Sequence, residues 1–468
     1  MPSLLTKLSW RLWQHSCQKD IRRFEEALKQ PRAAQTAHLR SILVSADGSE
    51  FAKKHQLSSN SSVAQFRQHV PIQTSEDLKL WTDRICKGEH NQLSVDPIER
   101  LVPTSGTTGR QKLIPMTAGS RAEYSTAVNL WLGNCMHSHP EIMNGRCYIA
   151  TSPAQDTPQG HSKVPIGFAP DSAYLGRLEK LVLKQILAVP SKVAELRGSQ
   201  WREQTRKHLL NCSELSFLSL WHPSYLDALF TADELHELGA KWRRLKLIST
   251  WSDGACSAPA KQLMRSFPQA THSPKGLWLT EGAVSVPWNA GTPIALLSGF
   301  FEFEDTDGNL WLADELKAEA TYRPVITNKA GLYRYRLGDI VKVTGYVDQT
   351  PSLQWLGRAD MVSDLCGEKL SDADASRAFE SCGHSGFGIL LPTQEGQSRF
   401  YTCLLEVARL KNFPKERFEK SLCENPHYKW ARELGHKERA PWQHPRHLRA
   451  NRPRQDSIDR QGNCLDKP

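Results

Sequence analysis

Four short stretches carry residue types whose spacing suits work on phosphates. The first, VPTSGTTGRQKLIP (residues 102–115), packs Ser105, Gly106, Thr107, Thr108 and Gly109 together, with Lys112 close behind. Its glycines let the backbone come close to a ligand. Successive amides and hydroxyls then form a nest of donors for phosphate oxygens, and Lys112 adds positive charge. Taken alone, such a run is more often a slack surface turn. It is not a Walker loop, because no Gly-Lys-Ser/Thr closes it and no helix follows at once.

The second stretch, KGLWLTEGAVSVP, sets Thr280 and Glu281 at the end of an apolar strand. A carboxylate there can hold Mg²⁺, which keeps most of its water and needs few protein ligands beside phosphate oxygens. The third, GLYRYRLGDIVKVTGY, offers Asp339 beside a glycine, where a carboxylate can accept both hydroxyls of a ribose. In the fourth, LQWLGRADMVSDLCGEKL, Arg358 and Asp360 stand where the texture of the chain changes, as a hinge requires. Each has an ordinary counterpart: a solvated strand-end glutamate, a turn aspartate, a plain linker.

The elements that would hold these residues are mixed. Residues 4–45 read as helices, as do SSVAQFRQHV and SEDLKLWTDRICKG. ERLVPT is strand-like, AGSRAEYSTAVNLWLGNCM has helical periodicity, RCYIAT is β-like, and helices dominate from about 175 to 243. From 244 onward short apolar segments alternate with Gly, Asp and Thr, and FFEFEDTDGNLWL reads as a hairpin turning at Asp307-Gly308. Beyond Gly357, LSDADASRAFES and KERFEKSLCENPHYKWARELG are helical, with strands at GFGILLP and RFYTCLLEV. The expectation is an α/β protein with a large N-terminal domain over 1–356 and a small α+β domain over 357–436.

Composition narrows the function classes. Fourteen tryptophans and fifteen phenylalanines provide ample core, and no apolar run is long enough to span a bilayer. The eleven cysteines are scattered without a C-x-x-C pair, which fits reduced thiols in the cytoplasm. The seventeen histidines show no zinc spacing. The net charge of +10 hints at an anionic partner, but residues 437–468 hold eight Lys/Arg against four Asp/Glu, leaving 52 against 46 elsewhere. Neither a nucleic-acid nor a membrane partner is therefore expected.

The fixed order of the four stretches resembles the adenylate-forming enzymes. VPIQTSEDLKLWTDRICKGEHNQLSVDPIERLVPTSGTTGRQKLIPMT, KGLWLTEGAVSVPWN, GLYRYRLGDIVKVTGY and SLCENPHYKWARELG are similar to the Gretchen Hagen family of acyl-acid amido synthetases, in the style of its bacterial members. The resemblance covers about residues 40–435. It implies that ATP activates a carboxylic acid as an acyl-adenylate, which an amino acid then intercepts to give an amide. It also implies that Ser105, Thr107, Thr108 and the amides of the loop that includes Gly106 and Gly109 grip the outer phosphates, with Lys112 near the leaving pyrophosphate.

On the same resemblance Glu281 holds Mg²⁺, Thr280 touches the α-phosphate, Asp339 binds ribose with Arg358 close by, and Asp360 is the hinge. Asp253, Gly254 and Ala255 in STWSDGACS would line the adenine and acyl pocket, and the acyl group would lie within the helical region 125–230. Lys369 would pair with the acceptor's carboxylate, although a surface lysine reads equally well. An acyl–coenzyme A ligase and a catalytically impaired nucleotide-binding relative remain alternatives. The resemblance stops after YKWARELG. The four prolines and eight basic residues of 437–468 predict a disordered tail and an incomplete, mobile small domain.

Overall fold

The computed structural model describes residues 4–104, 112–150, 162–167, 183–359, 363, 368–384, 388–395, 398–405 and 413–433. The loop Ser105–Gly109, the hinge candidate Asp360 and the tail 437–468 lie outside the described residues. The chain packs as two compact units, Met1–Met361 and Val362–Pro468.

The first unit opens with α1 (Leu4–Lys29), whose Trp10, Trp13, Cys17, Phe24 and Leu28 recur at helical spacing and are all buried. Trp10 Nε1 donates to the Gly145 carbonyl at 2.9 Å, tying α1 to a segment far along the chain. α2 (Pro31–Ala46) begins at a proline, which suits the first turn of a helix. Three shorter helices follow: α3 (Glu50–Lys54), α4 (Val63–His69) and α5 (Ser75–Cys86). Strands β1 (Arg100–Pro103) and β2 (Leu113–Met116) form an antiparallel hairpin. Then α6 (Ala118–Ser138) starts at a capping box made by Thr117 and Ser120.

Two sheets organise the rest of this unit. β3 (Arg146–Ile149), β4 (Leu215–Ser219), β5 (Leu247–Ser249) and β6 (Thr271–Ser273) are parallel and lie in that order. α7 (Gly198–Asn211) precedes β4, and α8 (Ala232–Lys241) and α9 (Ser257–Ser266) cross between the later strands. Leu209, Leu238, Leu263 and Phe267 from this region join one buried cluster with Leu218 and Ile248. β4 falls within the stretch from about 175 to 243 where helices are expected to dominate, and no strand is expected there. All five residues of β4 are buried, so it lacks the alternation that marks a half-exposed strand.

Beyond the small β7 (Trp278–Leu279) and β8 (Gly282–Ala283) hairpin comes an antiparallel sheet. It contains β9 (Phe300–Glu304), β10 (Leu310–Leu312), β11 (Thr321–Thr327), β13 (Asp339–Val347) and β14 (Thr350–Arg358), with the short β12 (Tyr335–Arg336) on β11. The expected hairpin is present: Asp305 accepts the main-chain N–H of Asp307 at 3.0 Å and of Asn309 at 2.8 Å, and Gly308 takes a φ of +83°. Arg334 sits at φ +48° just before β12. Its guanidinium grips the buried Glu302 at 2.7 and 2.8 Å and donates to the Arg67 and Val70 carbonyls at 2.8 and 2.6 Å. That network fastens the end of α4 to β9.

The second unit has its own core of Leu370, Ala378, Phe379, Cys403, Leu405, Phe418, Leu422 and Tyr428. These residues come from α10 (Asp372–Ser381), the β15 (Gly388–Glu395) and β16 (Ser398–Leu405) hairpin, α11 (Lys415–Leu422) and α12 (Pro426–Glu433). The single helical stretch expected from KERFEKSL onward is broken at Cys423–Asn425, where the Asn425 side chain accepts the N–H groups of His427 and Tyr428 at 2.9 and 3.1 Å.

Candidate active site

The phosphate-loop candidate is flanked by the β1–β2 hairpin. Thr104 N–H donates to the Lys112 carbonyl at 2.8 Å, so the ladder holds both ends of the loop. Lys112 is thereby fixed as a half-buried residue immediately before β2.

Thr280 and Glu281 form the turn between β7 and β8, with Thr280 exposed. Gly282 follows at φ +152°, where an added Cβ would stand 2.8 Å from Ile326 Cδ1. Asn328 fixes the turn from the other side, its Nδ2 donating to the Glu281 carbonyl at 2.6 Å. Asn328 is itself held, because its Oδ1 accepts Ala330 N–H at 3.0 Å. The next residue is clamped to α6: Thr117 Oγ1 donates to the Lys329 carbonyl at 2.8 Å, and Lys329 N–H donates to Glu123 at 3.1 Å. Glu123 meets His38 Nε2 at 2.9 Å through its other oxygen. A chain of hydrogen bonds therefore runs from the buried start of α6 to the backbone of Glu281.

The Glu281 carboxyl is pushed up from its ordinary range by burial and by the negative charge of Asp339, while Lys112 and Arg358 draw it down. Residues from three distant segments thus share one electrostatic neighbourhood. Asp339 is buried and opens β13 directly opposite Arg358 at the end of β14. Trp355 Nε1 donates to Asp339 Oδ1 at 2.8 Å.

Trp355 also receives the Asp253 turn. Gly254 has φ +53°, and a Cβ there would lie 2.6 Å from the Trp355 ring. The Asp253 carboxyl is raised by burial, against hydrogen bonds from the Gln354 side chain and the Trp355 main chain. Those bonds brace the turn against β14, and Ala255 faces solvent. Lys369, in the second unit, is exposed at φ +43°, and its carbonyl accepts Asn425 Nδ2 at 3.2 Å.

Sequence reasoning missed the lysine with the most unusual surroundings. Lys275, just after β6, is only 5% exposed. Its ammonium donates to Ser219 Oγ at 2.8 Å and lies 4.3 and 4.9 Å from the ring centres of Trp131 and Trp221. Burial lowers its pKa to about 7, with Cys135 acting the other way. It borders an apolar cavity of about 140 Å³ with Trp13, Tyr124, Trp131, Trp221 and Trp278 in the wall. Tyr148, Ile149 and Ser219, at the ends of β3 and β4, also line it. The cavity therefore opens at the carboxyl ends of the parallel strands, where open α/β sheets place ligands. No local signal in the sequence distinguishes Lys275. Its setting arises from α1, α6 and the parallel sheet meeting around it.

Comparison with known proteins gives a consistent picture. Residues 20–270 match the GH3 family N-terminal domain, and residues 292–358 match the GH3 family central domain. The chain is 24% identical over 444 residues to jasmonoyl–L-amino acid synthetase JAR6 of Nicotiana attenuata, covering 78% of this chain and 75% of the relative. In fold it is similar to the GH3.15 acyl acid amido synthetase, with a TM-score of 0.71, 18% identity, and coverage of 86% of this chain and 84% of the other. A 2-hydroxyisobutyryl-CoA ligase with a bound acyl-adenylate is similar at a TM-score of 0.57 and 13% identity, over 85% of this chain and 86% of the other.

Proposed function

Since the chain belongs to the GH3 family, we propose that it activates a carboxylic acid with ATP as the acyl-adenylate and transfers the acyl group to an amino acid. In the first step a carboxylate oxygen attacks the α-phosphorus and pyrophosphate leaves. In the second the amine attacks the acyl carbonyl, AMP departs with the bonding pair, and the amine loses a proton. Neither step asks a side chain to become covalently attached, so positioning and charge neutralisation do the work.

The observation that carries this reading is the shared neighbourhood of Lys112, Glu281, Asp339 and Arg358. Lys112 and the amides of the loop 105–109 are assigned to the outer phosphates, and Thr280 to the α-phosphate. Asp339, immobilised by Trp355, is assigned to the ribose hydroxyls, with Arg358 opposite it. Glu281 suits Mg²⁺: a carboxylate destabilised by burial and by Asp339 gains from a nearby dication, and Mg²⁺ needs few protein ligands when phosphates supply the rest. The metal would neutralise charge developing on the leaving pyrophosphate.

The acyl group is assigned to the cavity lined by Val128, Trp131, Trp221 and Trp278, which lies partly in the expected region 125–230. Asp360 remains the proposed hinge and Lys369 the proposed acceptor contact. We assign the reaction to the cytoplasm on the scattered cysteines. Among the described residues no helix is long and apolar enough to cross a membrane.

The deciding assay measures acid-dependent AMP formation with a panel of acids, using amino acids or coenzyme A as acceptor. Amide formation is expected. A thioester product would move the chain to the coenzyme A ligases, and no AMP with any acid would identify a nucleotide-binding relative.

A further inference from the structure

We propose that the cavity around Lys275 selects an aromatic acid bearing a second anionic group, remote from the reacting carboxyl, and that Lys275 binds that second group. This deepens the functional reading above and rests on it for the identity of the reaction. The binding part stands on the cavity alone.

Three features lead there. First, Lys275 is a buried amine that no described carboxylate balances when it is protonated. Its described partners are a neutral hydroxyl and two indole faces, and among the described residues no carboxylate pairs with it. The nearest thiol cannot serve, because burial pushes Cys135 up to about 12 and keeps it neutral. Aromatic faces repay only part of the cost of burying an ammonium. Such an amine sheds its proton readily, and an anionic ligand within reach would draw the proton back.

Second, the wall is mostly apolar and aromatic, and its orphaned donors are turned away from the open space. Trp13 Nε1, Trp131 Nε1, Trp278 Nε1 and the Thr205 hydroxyl are buried without a partner among the described residues, and all four residues line this cavity. Trp10, one turn before Trp13, shows the usual state of a buried indole, with its N–H on a carbonyl. The open space therefore suits an aromatic ring, with Lys275 and Ser219 as polar contacts at one end.

Third, size and position limit the ligand. A cavity of about 140 Å³ matches the roughly 150 Å³ that holds a benzene-sized ring. Thr280 and Glu281 sit at the β7–β8 turn, and Trp278 lies between them and Lys275 along the chain. In the proposed binding mode the ring lies beside Trp278 and its far end points towards Lys275, with the reacting carboxyl at the turn. Five residues of extended chain at ~3.3 Å each bound that distance at about 16 Å.

The test compares matched acids in ATP–pyrophosphate exchange: phenylacetate, 4-methylphenylacetate and 4-carboxyphenylacetate. Quenching of tryptophan fluorescence by each acid without ATP reports binding separately from chemistry. For the unaltered protein we expect 4-carboxyphenylacetate to exceed the other two by at least tenfold in both readouts. Lys275→Met, close in volume and uncharged, should reverse that order. Equal or better use and binding of the two monoacids by the unaltered protein would overturn the proposal, and that comparison needs no variant. Absence of both exchange and quenching with every acid would overturn it as well. Quenching by the diacid that depends on Lys275, without exchange, would remove the ligase reading and leave the binding site standing.

Discussion

Asp339 and Arg358 face each other across the β13–β14 ladder, and the indole of Trp355, on the same strand as Arg358, holds the Asp339 carboxylate at 2.8 Å. A ribose-binding carboxylate is effective when it is fixed before the nucleotide arrives, since no rotamer freedom is then lost on binding. Asp339→Ala should weaken ATP binding about 10- to 100-fold, the equivalent of about 1.5–3 kcal/mol for a hydrogen bond to a charged group. Trp355→Phe, which removes that hydrogen bond and trims the packing on the Gly254 turn, should produce a smaller loss. Calorimetric titration of both variants checks this, and an unaltered affinity in Asp339→Ala would reduce Asp339 to a turn residue.

Glu281→Gln should lower acid-dependent pyrophosphate release by a factor of about 10² or more. The variant should also melt no lower than the parent at pH 7. The sign follows from the raised Glu281 pKa: the folded protein then holds its proton more tightly than the unfolded chain. Glu281 therefore costs stability as pH rises through that interval, and the amide avoids the cost. A stable variant with near-normal release would dismiss Glu281 as the metal ligand. For the parent, raising Mg²⁺ should shift the acidic limb of the rate profile to lower pH, because the dication binds only the ionised carboxylate.

Lys275 predicts a pH-dependent stability difference of the opposite chemical type. Its folded pKa of about 7 lies below the ordinary value for a lysine, so the unfolded chain binds the extra proton through the interval from about 7 up to about 10.4. Stability of the parent should rise with pH across that interval. Lys275→Met should be the more stable protein at and below pH 7, with the advantage fading towards pH 10. Melting curves of the two proteins at several pH values provide the check, and a pH-independent difference would mean that the ammonium is not desolvated.

Arg334 stands on a different footing from the site residues, although it lies in the same Tyr/Arg-rich segment as Asp339. Arg334→Met leaves Glu302 with only Arg67, 3.0 Å away, and strips the Arg67 and Val70 carbonyls of their donor. The cost should be about 3–5 kcal/mol, read by urea unfolding. ATP affinity of the folded fraction should be unchanged. Loss of nucleotide binding with full stability would show Arg334 to be a site residue instead.

The turn at Asp305–Asn309, the amphipathic α1, and the chain order of the four chemistry-bearing stretches were legible because each depends on residues close in sequence. Turn chemistry, helical period and motif spacing are local properties, and packing left them in place. β4 was not legible, because a parallel strand buried on both faces loses its alternation and reads like any apolar run. Nor could local sequence show that Arg334 is committed to Glu302, or that Asp253 is committed to the main chain of β14.

The cavity is the furthest from the sequence. Trp13 on α1, Trp131 on α6, Trp221 beyond β4 and Trp278 on β7 enclose one lysine. No spacing rule links residues whose neighbourhood is created by the meeting of a helix, a second helix and the ends of a parallel sheet. The sequence by itself determined the family and the candidate residues for handling a nucleotide. The tertiary structure alone decided which lysine lost its water, because desolvation belongs to the packed surroundings of a side chain and not to its neighbours along the chain.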